Sequence, residues 1–133
     1  MRSVFLILCA CLVLGACGGG KAPEEHGLRR IVLPDGTVIR AETMLHAIDM
    51  TKGMMFRESL PDGRGMLFVH PEPGNYPYWM FQVKIPLDLV WMDTSGRVTE
   101  IVENAPPCNR TASDCPTYGG NARSHFVLEI TVG

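Results

Sequence analysis

The sequence predicts a mainly β fold, a compact β-sandwich or small barrel of short strands with one short helix. Short runs rich in Val, Ile, Leu and Phe alternate with turns that contain Pro, Gly and Asp. No long segment carries the 3.6-residue apolar period of an amphipathic helix. The chain has 133 residues, which is a length typical of a single domain.

The first predicted elements form a β-hairpin followed by the helix. Residues 30–33 and 37–45 are runs that contain β-branched residues, and they flank Pro34-Asp35-Gly36, a strong turn sequence. Residues 46–52 are expected to form the short helix, because the glycine at position 53 is a typical residue at a helix end.

The other predicted strands are apolar runs that begin or end at turn residues. A second hairpin is expected across Asp93-Thr94-Ser95-Gly96, since this turn separates two alternating runs. The predicted strands in this part of the chain are residues 65–70, 78–83, 87–92, 97–102 and 124–132.

The first 16 residues have the pattern of a lipoprotein signal peptide. Arg2 supplies a positive charge, and residues 4–14 form an apolar run of 11 residues. This run is shorter than the roughly 20 residues that a membrane-spanning helix needs. Residues 14–17, Leu-Gly-Ala-Cys, resemble a bacterial lipoprotein box, which implies cleavage before Cys17 and acylation of its thiol. An ordinary secretory signal with an incidental Cys is the alternative.

The expected location is the periplasmic face of the cell envelope. Residues 17–27 would be the lipidated Cys and a flexible Gly- and Pro-rich tether, and residues 28–133 a single domain. Gly at position 18 resembles the sorting signal for the outer membrane, if the host is Gram-negative. The chain has 12 basic and 14 acidic residues without a basic block, which argues against nucleic acid as a partner.

Two cysteines, Cys108 and Cys115, remain in the predicted exported domain. They lie in a Pro-rich loop, and in an oxidising compartment they are expected to form a disulfide. Closing this short loop would stabilise the fold by roughly 2.5 kcal/mol. A redox or metal-binding pair is the alternative, but the spacing is not CxxC and no His lies nearby.

An ordered set of motifs covers most of the predicted domain. In chain order the motifs are Gly-Met-Met-Phe-Arg at 53–57, Gly-Met-Leu-Phe-Val at 65–69, Tyr-Trp-Met at 78–80, Ile-Pro-Leu-Asp at 85–88 and Val-Leu-Glu at 127–129. This set, within residues 43–133, resembles the DUF192 family of uncharacterised prokaryotic domains. The resemblance implies a compact β-sandwich-like fold, common in exported or lipid-anchored proteins, and no agreed activity.

One carboxylate is a candidate catalytic group. Asp88 lies between Leu87 and Leu89 in a strand predicted to be apolar on both faces, so its charge needs a partner. Arg57 or Lys84 could be its partner, and Glu58 or Asp62 could supply the second acid of an acid–base pair. On this alternative the protein is an envelope enzyme that acts on cell-wall or polysaccharide material. A structural ion pair or hydrogen bonds to backbone amides would explain the same pattern, and we favour that interpretation.

The leading hypothesis is a non-enzymatic envelope domain, lipid-anchored to the membrane at Cys17, that binds an unknown ligand or protein. The loops at 57–64 and 74–79 are the expected binding elements. Tyr76 and Tyr78 flank the Pro-rich turn of the second loop, and binding sites typically combine apolar walls with a few polar groups. The binding candidates are Arg57, Arg64, Tyr76, Tyr78, Trp79 and Asp88.

The methionines suggest a minor alternative, since thioethers are ligands of Cu(I). Met54, Met55, Met66 and Met80 could converge near His70. Met also fills irregular gaps in small cores, and we favour that role. The sequence therefore predicts no cofactor and no resident metal.

Overall fold

The structure, a computed structural model, describes residues 27–131. The predicted signal peptide, the lipidation site at Cys17 and all of the predicted tether except Gly27 lie outside the described residues. Between residues 27 and 131, no helix is long and apolar enough to cross a membrane.

The described chain is mainly β with one short α-helix, as the sequence predicts. The elements are β1 (Leu28–Val32), β2 (Val38–Met44), α1 (Ala47–Lys52), β3 (Arg64–Gly74), β4 (Tyr78–Trp79), β5 (Leu87–Met92), β6 (Val98–Ala105), a 3₁₀ turn (Ala112–Asp114), β7 (Thr117–Tyr118) and β8 (Ser124–Thr131).

Six strands form one sheet in the order β1-β2-β3-β8-β5-β6, and the sheet is not a closed barrel. Strands β2 and β3 are parallel, and the other neighbouring pairs are antiparallel. Both predicted hairpins are present, as β1-β2 and β5-β6. Strands β4 and β7 pair in a separate two-stranded sheet.

The strand predicted over residues 78–83 is wrong beyond its first two residues. Only Tyr78–Trp79 is a strand, and the chain then turns at Gln82, whose φ is 57°. The turn forms because the Val83 N–H bonds to the Met80 carbonyl, and the Gln82 N–H bonds to the carbonyl of Cys108. The backbone hydrogen bonds of this segment therefore run to a loop instead of a neighbouring strand.

The larger apolar cluster lies on one face of the sheet, which we call the inner face. Loop side chains cover it, together with a disulfide between Cys108 and Cys115, the predicted pair. Sheet residues of this cluster include Met66, Phe68, Leu89, Trp91 and Val127. The opposite, outer face carries a smaller cluster that includes Leu67, Val90 and Leu128.

Trp91 and Gly119 fix the loops over one end of the inner face. A Cβ atom at Gly119 would lie 2.4 Å from the Trp91 ring, so only glycine fits this close approach. The indole N–H of Trp91 donates to the carbonyl of Tyr76 at 2.8 Å. These contacts hold the chain before β4 in place.

Candidate functional site

A cleft of about 300 Å³ opens on the inner face of the sheet. One wall is formed by residues 50–55, at the end of α1 and the start of the following loop. The other wall is formed by residues 76–79 with Phe81 and Val83, and the sheet contributes Phe68, His70 and Glu129. The wall at Phe81 is held by the disulfide loop, because Phe81 and Cys108 form a parallel bridge. Mainly apolar walls with a few polar groups are typical of small-ligand sites.

Glu129 is the most deeply buried polar group of the cleft. It lies in β8, between Met66 of β3 and Leu89 of β5, and is only 4% exposed. Its Oε2 atom accepts no hydrogen bond from any described residue. Burial raises the pKa of this carboxyl to about 8, although the positive charge of Arg57 opposes the shift. Glu129 is therefore predominantly a neutral acid at pH 7.

His70 and Tyr78 form a neutral polar pair in the same cleft. The His70 Nε2 and Tyr78 Oη atoms lie 3.0 Å apart, at hydrogen-bonding distance. Burial, aided by His125, lowers the pKa of His70 to about 4, and burial also raises the pKa of Tyr78. Both side chains are thus uncharged at neutral pH.

The aromatic rings of the cleft are held by contacts with one another. The His70 ring stacks on Tyr76 with centroids 3.5 Å apart, and Tyr78 packs edge-on against Phe68 at 5.1 Å. Trp79 and Phe81 form a tilted pair at 5.1 Å. Such contacts restrict ring motion and keep the walls in position.

Arg57 lies in a pocket next to the cleft, where it forms an ion pair. Its Nη1 and Nη2 atoms bond to the two carboxylate oxygens of Glu42 at 2.5 and 2.8 Å. This bidentate bond lowers the pKa of Glu42 and raises the pKa of Arg57. The neighbouring pocket is lined by Glu42 and Arg57, among other residues, and Lys52 and Gly53 line both cavities.

The structure does not assemble the predicted acid–base group. Asp88 lies on the outer face of β5, and its Oδ1 accepts the backbone N–H of Asn104 at 2.7 Å. Arg57 lies at the inner face and bonds to Glu42 instead. Glu58 is exposed and forms an ion pair with Lys84. The bond from a backbone amide to Asp88 matches the structural interpretation of that residue.

The predicted binding residues divide into two groups. Tyr76, Tyr78 and Trp79 all line the cleft, so the structure brings these three together. Arg64 lies half-buried at the start of β3, paired in register with Arg40 of β2, and does not line the cleft. The cleft wall is therefore formed by residues 50–55, and not by the predicted loop at 57–64.

The methionines predicted to converge are also divided. Met54 and Met55 line the cleft with His70, whereas Met66 lines the neighbouring pocket. Met80 is fully buried in the core. Within residues 27–131, no group of three or more His, Cys, Asp or Glu residues could hold a metal ion.

Glu129 is absent from the site residues predicted from the sequence. The available signal is the one used for Asp88, an acidic residue inside an apolar run, here Phe-Val-Leu-Glu-Ile at 126–130. The Val-Leu-Glu motif contributes only to the family resemblance until the structure shows which face Glu129 occupies.

Comparison with known proteins identifies the chain as a member of a family. The DUF192 model, described as "Uncharacterized ACR", matches residues 30–133, so the chain belongs to this family. None of the curated proteins compared with the chain matches it.

Two crystal structures share the fold. A protein of unknown function from Novosphingobium aromaticivorans is 30% identical, with a TM-score of 0.65, over 87% of this chain and 89% of that one. A protein from Sinorhizobium meliloti, described as "a putative transcription regulator", is 25% identical, with a TM-score of 0.66 over 78% of each chain.

Proposed function

We propose that this DUF192 protein is a lipid-anchored domain of the cell envelope that binds a small ligand in the cleft above Glu129. The observation that carries the proposal is the buried Oε2 atom of Glu129, which has no partner among the described residues and belongs to the cleft lining. Leaving a buried polar atom without a hydrogen bond costs about 1–3 kcal/mol. A ligand that supplies the missing partner would recover this cost.

Exposed apolar side chains in the cleft lining and in the sequence next to it support binding of an apolar or aromatic molecule. Trp79, which lines the cleft, is 37% exposed, and Ile48 and Phe56, which lie close in sequence to the lining segment 50–55, are 79% and 58% exposed. Apolar surface that is exposed at a cleft is typical of interaction sites. The pattern therefore favours a ligand that buries apolar surface and also reaches Glu129.

Obstruction of the cleft mouth tests the ligand site. Thr51 is an exposed lining residue, so Thr51→Trp would place an indole at the mouth without changing the core. Thr94→Trp is the matched control, because Thr94 is exposed in the β5-β6 turn. In NMR screens of a mixed fragment library, wild type and Thr94→Trp should show shifts of cleft amides, and Thr51→Trp should show none. Hits that map elsewhere, or that bind Thr51→Trp equally well, would contradict the proposal.

The anchor part of the proposal rests on the lipobox at 14–17 and on how the domain begins. Strand β1 starts at Leu28, which pairs with Glu42 near the end of β2, and α1 follows β2 after two residues. The tether would thus join the domain near the segment that forms one wall of the cleft. The 11 residues from 17 to 27 span at most about 40 Å when extended, so the domain would stay close to the bilayer.

Replacement of the predicted acylation site tests the anchor. Cys17→Ala removes the thiol that would carry the lipid, and the protein should move from the membrane fraction to the soluble periplasmic fraction. Cys11→Ala is the control, since it changes a Cys of the signal and leaves the lipobox Cys intact. A Cys17→Ala protein that stays in membranes after a high-pH wash would overturn the lipoprotein assignment.

A further inference from the structure

The cleft combines aromatic walls with the buried carboxyl group of Glu129, whose Oε2 atom has no hydrogen-bond partner within residues 27–131. The aromatic residues of its lining are Phe68, Tyr76, Tyr78, Trp79 and Phe81. The faces of such rings attract cations, and the attraction grows when the site is shielded from water. From this arrangement we infer that the ligand is a small organic cation, whose ammonium group binds between the rings with Glu129 as its counter-ion. The inference rests on the proposed function, because it assigns a ligand class to the same cleft.

The charges around Glu129 favour a cationic ligand. Arg57 is a positive group whose charge acts on Glu129, but both carboxylate oxygens of Glu42 already bond to its guanidinium. The Arg57–Glu42 pair is neutral as a unit, so an ionised Glu129 would leave the region with one negative charge. A bound cation would balance that charge, whereas a bound anion would meet a second negative group.

The other titratable groups around Glu129 leave room for a positive ligand. Tyr78 from β4 and His70 from β3 are neutral, and they offer hydroxyl and ring dipoles without a positive charge. Lys52 from α1 is an exposed residue at the boundary of both cavities, where water screens its ammonium group. A cavity of about 300 Å³ lies at the lower end of ligand-site volumes, so the cation must be small.

Binding of a cation should be coupled to release of a proton. Without ligand, the buried carboxyl of Glu129 retains its proton at neutral pH, because its pKa is raised to about 8. An ammonium group beside it favours the carboxylate, so the proton leaves to solvent as the cation enters. Affinity should therefore rise with pH up to about 8 and then level off.

A charged ligand and its uncharged isostere separate this inference from the proposed function. Choline and 3,3-dimethyl-1-butanol have the same shape, but only choline carries a charge. In calorimetric and NMR titrations, choline should bind at least tenfold more tightly than the alcohol. Its affinity should be at least tenfold higher at pH 8.5 than at pH 6.0, with proton release visible as a buffer-dependent heat.

Two variants locate the counter-ion. Glu129→Gln keeps the shape of the side chain without its charge. It should remove the pH dependence and reduce the preference for choline to the part that the aromatic rings supply. Asp88→Asn makes the same type of change on the outer face, and should bind choline as wild type does. Thermal melts of both variants establish that they are folded before binding is compared.

Each alternative result contradicts a different statement. If the alcohol binds in the cleft as tightly as choline, the cation assignment is wrong and the ligand site stands. If Glu129→Gln retains the full preference for choline and its pH dependence, Glu129 is not the counter-ion. If choline does not bind while neutral fragments shift cleft resonances, the cation assignment is likewise wrong and the ligand site stands. If neither choline nor any library fragment shifts those resonances, both the cation assignment and the proposed function are wrong.

Discussion

Asp88 and Glu129 are acidic residues in adjacent strands, β5 and β8, and both interrupt apolar sequences. Their environments differ because they lie on opposite faces of the sheet. Asp88 is half-buried on the outer face and accepts a backbone N–H from Asn104. Glu129 is almost fully buried on the inner face, and its Oε2 atom has no partner among the described residues.

The difference shows what a charge in an apolar strand indicates. Asn104 has a φ of 52°, and β6 shifts its register against β5 between Ala105 and Val102. Asp88 satisfies the amide at this irregularity, so its carboxylate has a structural role. The Oε2 atom of Glu129 has no comparable partner within the described part of the chain, and the residue lines a cleft. The candidate functional residue is marked by a buried polar atom that has no hydrogen-bond partner, and not by its charge alone.

The largest expected effect is on the pH dependence of stability. The pKa of Glu129 is raised to about 8 in the folded protein, from an ordinary value near 4.5. The folded state therefore binds more protons between these pH values, so stability falls as pH rises from about 4.5 to 8. For Glu129→Gln this loss should be absent. The variant should be more stable than wild type at pH 9 by a few kcal/mol, and similar to it at pH 5.

Denaturant unfolding at several pH values measures this effect. Asp88→Asn is the matched control on the outer face, and the slope of its stability against pH should follow wild type in the same range. Parallel curves for wild type and Glu129→Gln between pH 5 and 9 would be inconsistent with a buried carboxyl of raised pKa.

Arg57→Gln should produce the next largest effect. The variant loses the bidentate bond to Glu42, and because both side chains are partly exposed we expect a destabilisation of about 1 kcal/mol. It also removes the positive charge that lowers the pKa of Glu129, so the titration of Glu129 should move to higher pH. Arg30→Gln, at an exposed position of β1, is the control. If Arg57→Gln leaves the Glu129 titration unchanged, Arg57 has no electrostatic connection to the cleft.

His70→Phe should change stability in acid by a smaller amount. The pKa of His70 is lowered to about 4 in the folded protein from 6.5, so the unfolded state binds more protons between these values. The associated stability is present above pH 6.5 and is lost as pH falls toward 4. Since His70 is partly exposed, solvent screening limits this loss of stability to about 1 kcal/mol.

Stability curves from pH 7 to 4 test the role of His70. Phe retains a ring that can stack on Tyr76, but it removes the partner of the Tyr78 hydroxyl, so slopes are compared and not absolute stabilities. The curve of His70→Phe should be flatter than that of wild type. His46→Phe, at an exposed position before α1, should retain the wild-type slope.

Asp88→Asn should have the smallest effect at neutral pH. Asn keeps an oxygen that can accept the Asn104 N–H, so only the charge assistance of this bond is lost. We expect a destabilisation of about 1 kcal/mol or less, which thermal unfolding detects as a decrease of a few degrees in Tm. A decrease of more than about 3 kcal/mol in the free energy of unfolding would mean that Asp88 has a role beyond this hydrogen bond.

Local sequence signals predict most of the fold. The Pro34-Asp35-Gly36 and Asp93-Thr94-Ser95-Gly96 turns locate both hairpins, because turn residues determine where the chain reverses. The segment at 80–83 is not predicted, since its turn depends on hydrogen bonds to Cys108, 25 residues after Val83. The contact between Trp91 and Gly119 is also tertiary, so no local sequence pattern predicts it.

The candidate site is predictable only in part. Tyr76, Tyr78 and Trp79 are predicted as binding residues, because aromatic side chains beside a Pro-rich turn are typical of ligand loops. Glu129 is missed and Asp88 is selected, although both interrupt apolar runs. The position of β8 between β3 and β5 gives Glu129 its burial, and this strand order is not readable from the sequence of β8.

Titration of the Glu129 carboxyl by NMR tests the central claim most directly. With ¹³C-labelled glutamate, the side-chain carboxyl carbon of Glu129 can be followed with pH and assigned by its absence from Glu129→Gln. Burial on the inner face predicts a midpoint near pH 8, and a bound organic cation should lower it. A midpoint near the ordinary value of 4.5 would mean that Glu129 is hydrated or paired, and would contradict both its role in the cleft and its contrast with Asp88.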